Sequence, residues 1–309
     1  MGRQWRGADV DIDIGFLGDF RCRLGESPIW DPELARLWWV DAVDQAIHSA
    51  DEAGNGPVTW RYDSMFGSIG LCDGGLIAGL ADRFALIDTQ TGAAETVLTV
   101  PSQGGAVRLN DGKVDREGRS YVCGHTRMQE TATGTLFQLT ADAALREVAQ
   151  GMRISNAICF SPDGSRLYCA DSLDGFIRCH DYDPATATIG AQTGRIDLAG
   201  IGQAPDGATV DADGNLWIAL VLDQALACVS PDGTLLRRID MPMPFPSCPA
   251  FGGEGMETLY VTSIGNSGHN LVTDHPDGGR IAVVRGLGVR GIAESRLTFQ
   301  PATGAAHGI

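Results

Sequence analysis

Positive charge is scarce in this sequence: 23 Lys and Arg stand against 39 Asp and Glu, a formal net charge of -16. A surface of that sign repels polyphosphate, and no basic stripe reverses it locally, which argues against DNA or RNA as a partner. Long apolar runs are missing as well. None approaches the roughly 18 residues that span a bilayer, so no membrane partner is expected. The opening MGRQWRGADVDIDIGF has no apolar core of a secretory signal, and Arg6 stands where myristoylation after Met1-Gly2 calls for Ser or Thr. Cytoplasmic residence is the resulting expectation. C-x-x-C pairs are absent although there are eight cysteines, at 22, 72, 123, 159, 169, 179, 228 and 248. Most sit in apolar or alternating stretches such as Ala157-Ile158-Cys159-Phe160, where cysteine acts as a small buried hydrophobe. Ser27 precedes a proline and lacks a G-x-S-x-G elbow, which speaks against a serine hydrolase. Asp211-Ala212-Asp213-Gly214 lacks the closing Glu of an EF-hand loop and reads as a turn.

Glycine is what the chain has in quantity, 41 of 309 residues, beside 43% hydrophobic and 20% charged residues. That composition suits a folded protein with many tight turns. The length is ample for a large core. A unit recurs along it, an Asp/Gly/Pro turn followed by a short apolar strand: Trp30-Asp31-Pro32 then Leu37-Trp38-Trp39-Val40, and Asp73-Gly74-Gly75 then Leu76-Ile77-Ala78. Four more begin at Asp115, Ser161, Asp211 and Gly252. With Trp38, Ile77, Tyr121, Tyr168, Trp217 and Tyr260 as markers, the intervals are 39, 44, 47, 49 and 43 residues. Units of about 45 residues hold four short strands and no long helix, the signature of propeller blades. The expected fold is therefore all-β, a six-bladed β-propeller with four antiparallel strands per blade, rather than a β-sandwich. One domain is expected over residues 1–309, with a loose tail from about residue 298. The segments Ile14 to Arg23 and Gly279 to Val284 are expected to build one blade from both termini and close the ring.

Counting five residues back from the turn positions Asp31, Asp73, Asp115, Ser161, Asp211 and Gly253 gives Glu26, Ser68, Asn110, Asn156, Asp206 and Cys248. In a propeller the first strand of each blade lines the central channel, so these side chains should surround one point. Converging carboxylates repel and resist desolvation unless a cation joins them. Glu26, Asn156 and Asp206 are the candidate ligands of one divalent metal ion. Oxygen ligation suits Ca²⁺, Mg²⁺ or Mn²⁺, and Zn²⁺ or Fe²⁺ if waters complete the shell. His48, His180 and His275 read as peripheral.

At these positions the chain resembles the SMP-30/gluconolactonase/regucalcin-like family of sugar lactonases. The resemblance runs through Leu24-Gly25-Glu26-Ser27-Pro28-Ile29-Trp30-Asp31, Arg108-Leu109-Asn110-Asp111-Gly112, Ile154-Ser155-Asn156, Pro205-Asp206-Gly207 and Cys248-Pro249-Ala250-Phe251-Gly252-Gly253. It ends on Leu259-Tyr260-Val261-Thr262-Ser263 and Gly288-Val289-Arg290-Gly291. It implies a six-bladed propeller with metal ligands Glu26, Asn156 and Asp206. It also implies substrate contacts from Arg108 and Asn110, the latter beside a metal-bound water. Two departures stand out. Ala157 follows Asn156 where many members have glycine, and Gly124-His125-Thr126-Arg127-Met128 replaces a shorter, less basic stretch. His125 and Arg127 either read an anionic substituent of the substrate or face solvent, and the sequence leaves both readings open.

The expected activity is metal-dependent hydrolysis of a sugar lactone of the gluconolactone kind to the open aldonic acid. Asp206 is the candidate catalytic base for a metal-activated water. Organophosphate or other ester hydrolysis at the same site is the enzymatic alternative, and a noncatalytic calcium-binding scaffold the other. A monomer is the default expectation, and the sequence does not exclude a homo-oligomer.

Overall fold

The structure, a computed structural model, describes residues 12–299. A short edge strand comes first, β1 (Asp13–Phe16). Blade one follows as β2 (Gly25–Asp31), β3 (Arg36–Asp41), β4 (Ala46–Ala50) and β5 (Val58–Arg61). Blade two is β6 (Phe66–Cys72), β7 (Gly75–Leu80), β8 (Arg83–Asp88) and β9 (Ala94–Thr99), and blade three is β10 (Val107–Val114), β11 (Ser120–Arg127), β12 (Gly134–Thr140) and β13 (Leu145–Met152). Blade four is β14 (Ser155–Phe160), β15 (Arg166–Asp171), β16 (Phe176–Asp183) and β17 (Thr188–Asp197). Blade five is β18 (Pro205–Val210), β19 (Leu216–Leu220), β20 (Ala225–Val229) and β21 (Leu235–Asp240). Blade six uses β22 (Pro246–Gly252), β23 (Thr258–Ser263) and β24 (Ala282–Arg285), and β1 pairs with β24 as its fourth strand. The chain is a six-bladed β-propeller of six four-stranded antiparallel sheets, closed by strands from its two ends as the sequence predicts.

The repeated turn has a repeated chemistry. Asp31 Oδ1 accepts the backbone N–H groups of Glu33 and Leu34, Asp115 Oδ1 those of Glu117 and Arg119, and Asp211 Oδ1 those of Asp213 and Asn215. In blades one, three and five a short acidic side chain thus holds the tight connection between the first two strands, and in blade four Ser161 Oγ accepts Arg166 N at 3.0 Å instead. The innermost strands β2, β6, β10, β14, β18 and β22 neighbour one another around the axis.

Six apolar clusters fill the six seams between blades. Ile29, Trp38 and Val40 of blade one meet Ile69, Leu71 and Leu76 of blade two, and Tyr260 of blade six meets Trp30 and Leu37 of blade one. Five of the six marker residues face the following blade. Tyr121 is the exception, packing back on Ile77 and Phe84 of blade two, while its neighbour Val122 packs forward on Ile158 and Phe160. A one-residue offset in a strand reverses the face, so Val122 is the true counterpart in blade three. All eight cysteines are free and buried, as expected.

After β24 the chain crosses the turn end of the ring as a strap. Gly291 N donates to Met256 O, Ala212 N to Arg290 O, Leu297 N to Leu71 O and Thr298 N to Gly118 O. Gly118 needs to be glycine twice over: its φ is +66°, and a Cβ would lie 2.1 Å from the Arg296 carbonyl oxygen. Leu297 is fully buried and Phe299 packs on the cluster between blades two and three. The expected loose tail falls outside the described residues from 300 onward. No helix among the described residues is long and apolar enough to cross a membrane.

Candidate active site

The site lies at the channel end opposite the strap, where each innermost strand begins. Glu26 is the second residue of β2, Asn156 of β14 and Asp206 of β18. In each of these strands the pairing with its neighbour shifts just past that position, between Glu26 and Ile29, Asn156 and Cys159, and Pro205 and Ala208. The bulge bends the strand and aims the side chain at the axis. Ser27 and Ala157 make it with φ of 49° and 52°. Ala157 therefore adopts the left-handed conformation that glycine takes at least cost. Ser27 Oγ accepts Ile69 N at 2.8 Å, a tie between blades one and two rather than a nucleophile.

Hydrogen bonds fix the two amides. Ser172 Oγ donates to Pro205 O and so must accept from Asn156 Nδ2, at 2.6 and 2.9 Å. That turns Asn156 Oδ1 the other way, where Asn110 Nδ2 donates to it at 2.9 Å. Asn110 Nδ2 also donates to Ser155 O at 3.0 Å, which leaves Asn110 Oδ1 for a ligand.

The carboxyls have no such satisfaction. Among the described residues, neither Glu26 nor Asp206 has a basic side chain within salt-bridge distance, although Asp206 is only 7% exposed. Burial pushes Glu26 well above the usual carboxylate range, and the charges of Asp206 and Asp111 push it further against the pull of Arg108. Asp206 is pushed up by burial and then by Asp111, again against Arg108. Arg108 is 8% exposed; burial lowers its guanidinium to about 10, and its Nε is buried without a partner while Nη1 donates to Leu109 O. Two carboxylates meeting in a desolvated place, beside an oriented amide oxygen, form a donor set that fits a divalent cation.

Arg108, Asn110, Asn156, Asp206 and Glu26 are thus brought together, by hydrogen bonds or by charge. His125 and Arg127 turn elsewhere. His125 lies against Gly134 and the Phe137 ring in the seam between blades two and three, its Nδ1 accepting Thr135 N. Nδ1 is therefore unprotonated, and Nε2 carries a buried hydrogen with no partner. Burial alone lowers His125 to about 4, with no charge of the axial site contributing. Arg127 donates to the Glu130 carbonyl and carboxylate in an exposed turn.

Two further residues belong to the site. Asp111 accepts Ile158 N at 2.7 Å and Gly112 N at 2.8 Å, and burial raises it to about 6. It pins the bulge that carries Asn156, and its place in Arg108-Leu109-Asn110-Asp111-Gly112 was a signal that could have found it. Ser172 stands in a connection with no motif around it, so nothing in the sequence pointed to it.

Fold and site together define a six-bladed propeller with an axial cluster of side-chain oxygens. The SMP-30/gluconolactonase/LRE-like region matches residues 24–265, and the chain belongs to that family. It is 34% identical to an L-arabinolactonase of Azospirillum brasilense, over 88% of this chain and 92% of the relative. It is 31% identical to the pentonolactonase XacC of Haloferax volcanii, over 81% and 84%. Among solved structures, a calcium-binding regucalcin of Agrobacterium tumefaciens superposes with a TM-score of 0.84 at 26% identity, covering 91% of this chain and 96% of the other.

Proposed function

We propose that the chain is a metal-dependent lactonase that opens a sugar lactone to the aldonic acid at the axial site. The observation that carries this reading is the pair Glu26 and Asp206, desolvated together with no basic side chain of the described residues within salt-bridge distance and flanked by the fixed Asn156 oxygen. The lactonase names of relatives at 34% and 31% identity support the substrate class. Glu26, Asn156 and Asp206 would hold one divalent ion, and an all-oxygen set favours Ca²⁺, Mg²⁺ or Mn²⁺. When bound, such an ion supplies Lewis acidity toward the ring carbonyl and lowers the pKa of a water.

The protein's own groups do the rest. Asp206 accepts the proton of the attacking water at a carboxylate oxygen, the general-base role. Arg108 offers its guanidinium to a hydroxyl or carbonyl oxygen, and Asn110 Oδ1 accepts from a sugar hydroxyl. Together they hold the ring in one orientation, which is worth more than the contacts themselves. Asp111, through Ile158 N, keeps the Asn156 bulge in register.

Acid release from a panel of aldonolactones tests the proposal, with and without chelator, after metal restoration, and in Asp206→Ala. Turnover should vanish with chelator, return with metal, and stay absent in the variant. Equal rates above the spontaneous background throughout would overturn it. Arg108→Ala should raise KM more than it lowers metal affinity.

A further inference from the structure

Among the eight cysteines Cys22 has distinctive company. Its Sγ, a carboxylate oxygen of Asp41 and a ring nitrogen of His48 all lie within 4.8 Å of one another. Cys22 precedes β2, Asp41 ends β3 and His48 is the middle residue of β4. His48 Nδ1 meets Thr59 Oγ1 at 2.9 Å, so Nε2 is the nitrogen left for the cluster. A partner on one nitrogen is how proteins orient an imidazole ligand. The ring also stacks on Trp39 at 5.5 Å.

The repeat shows what is missing here. In blade four, Asp171 Oδ2 accepts the Arg153 backbone N–H at 2.9 Å, and the Arg153 guanidinium neutralises the same oxygen at 3.1 Å. In blade one, Asp41 Oδ2 accepts the Arg23 backbone N–H at 2.7 Å, but the Arg23 guanidinium turns away to Asp44 at 3.7 Å. Asp41 is 1% exposed and, among the described residues, has no basic side chain within salt-bridge distance. The cation that blade four builds in is absent, and a thiol and an imidazole stand in its place.

We propose that Cys22, Asp41 and His48 form a second metal site, for a divalent transition ion of the zinc class. Sulfur and imidazole donors select borderline ions, whereas the oxygen donors on the axis select hard ones. Three protein ligands leave a fourth position for water. The Cys22 backbone N–H donates to Gly279 O of blade six at 2.8 Å. The ion would therefore clamp the entering chain to blade one at the seam where the ring closes. Burial, then the charge of Asp41, raises the free thiol, so binding must release its proton.

The test uses the full chain carrying Glu26→Gln and Asp206→Asn, which removes the axial carboxylates. Titration with Co²⁺ should still load one equivalent, with a thiolate-to-cobalt charge-transfer band, and should raise the midpoint of thermal unfolding. Adding Cys22→Ser should abolish the band, and His48→Gln, at a partly exposed position, should weaken loading about tenfold or more. Cys22→Ser alone should leave lactone turnover unchanged. Absence of the band, or its persistence in both Cys22→Ser and His48→Gln, overturns the site. If Cys22→Ser does not fold, the His48→Gln titration decides alone.

Discussion

One strand, β10, connects two buried charge clusters that differ in a single respect. At the strap end, Lys113 Nζ lies 3.4 Å and Arg116 Nη1 3.1 Å from the two oxygens of Glu294, and the side chains are 9–10% exposed. Arg116 Nη2 also donates to Phe160 O. Lys113 and Arg116 hold the Glu294 carboxyl below its usual range in spite of burial, and Glu294 raises Lys113 in return. At the open end, two carboxyls of similar burial are pushed up instead, with only a depressed arginine nearby. Buried charge completed within the chain holds structure together. Left incomplete, it creates a demand that a ligand meets.

Neutralising one carboxylate at each end should break the symmetry of that comparison. Glu294→Gln leaves Lys113 and Arg116 buried against an uncharged amide, and should cost about 3 kcal/mol in chemical denaturation with kcat unchanged. Asp206→Asn removes repulsion instead. In the presence of chelator it should stabilise the fold by about 1 kcal/mol while abolishing turnover, the usual trade-off at a functional site. A destabilisation of equal size at both ends would show that the open end is also a structural network.

How far the sequence reached follows the same division. The axial positions Glu26, Asn110, Asn156 and Asp206 were legible because a turn recurs in every blade and the count back from it is constant, whereas Ser68, at the same count, bonds Tyr121 Oη and Asn110 O between blades two and three. Tyr121 misled as a marker because aromatic character says nothing of which face a strand residue takes. The strap was invisible as a unit, since Gly118, Lys113 and Arg116 meet it only through the closed ring. Ser172 escaped for a similar reason: its role depends on the Pro205 carbonyl of the next blade.

His125 sharpens the comparison through pH. Its folded value is about 4, below the ordinary 6.5, so the unfolded chain binds one more proton between those limits. Stability should therefore fall as pH drops from 6.5 toward 4, by about 2 kcal/mol after allowance for solvent screening. His125→Gln should remove that part of the slope in denaturation curves measured across the window. An unchanged slope would mean that the imidazole is protonated in the fold, and hence that its Nε2 hydrogen is not the isolated group described above.

Ser172→Ala tests whether the open end depends on support from outside the ligands. Without the hydroxyl, the Asn156 amide loses the contact that fixes its orientation, and metal affinity should drop about tenfold in a chelator competition. Turnover at saturating metal should be nearly unchanged. A large loss of kcat with affinity intact would place Ser172 in the chemistry rather than beneath it.

The smallest effect is expected at Ala157, the positive-φ residue that follows Asn156 in the bulge. The residue already sits at φ of 52°, so glycine reproduces the bulge and relieves about 1 kcal/mol of left-handed strain. Against that stand the extra freedom of glycine in the unfolded chain and the loss of one fully buried methyl, each about 0.8 kcal/mol. Ala157→Gly should thus change stability by less than about 1 kcal/mol and leave metal affinity as it was. Ala157→Val, whose branched Cβ tolerates a positive φ poorly, should cost both. If glycine weakened the metal site, the methyl group packed between blades four and five, rather than the bulge, would be what holds Asn156 in place.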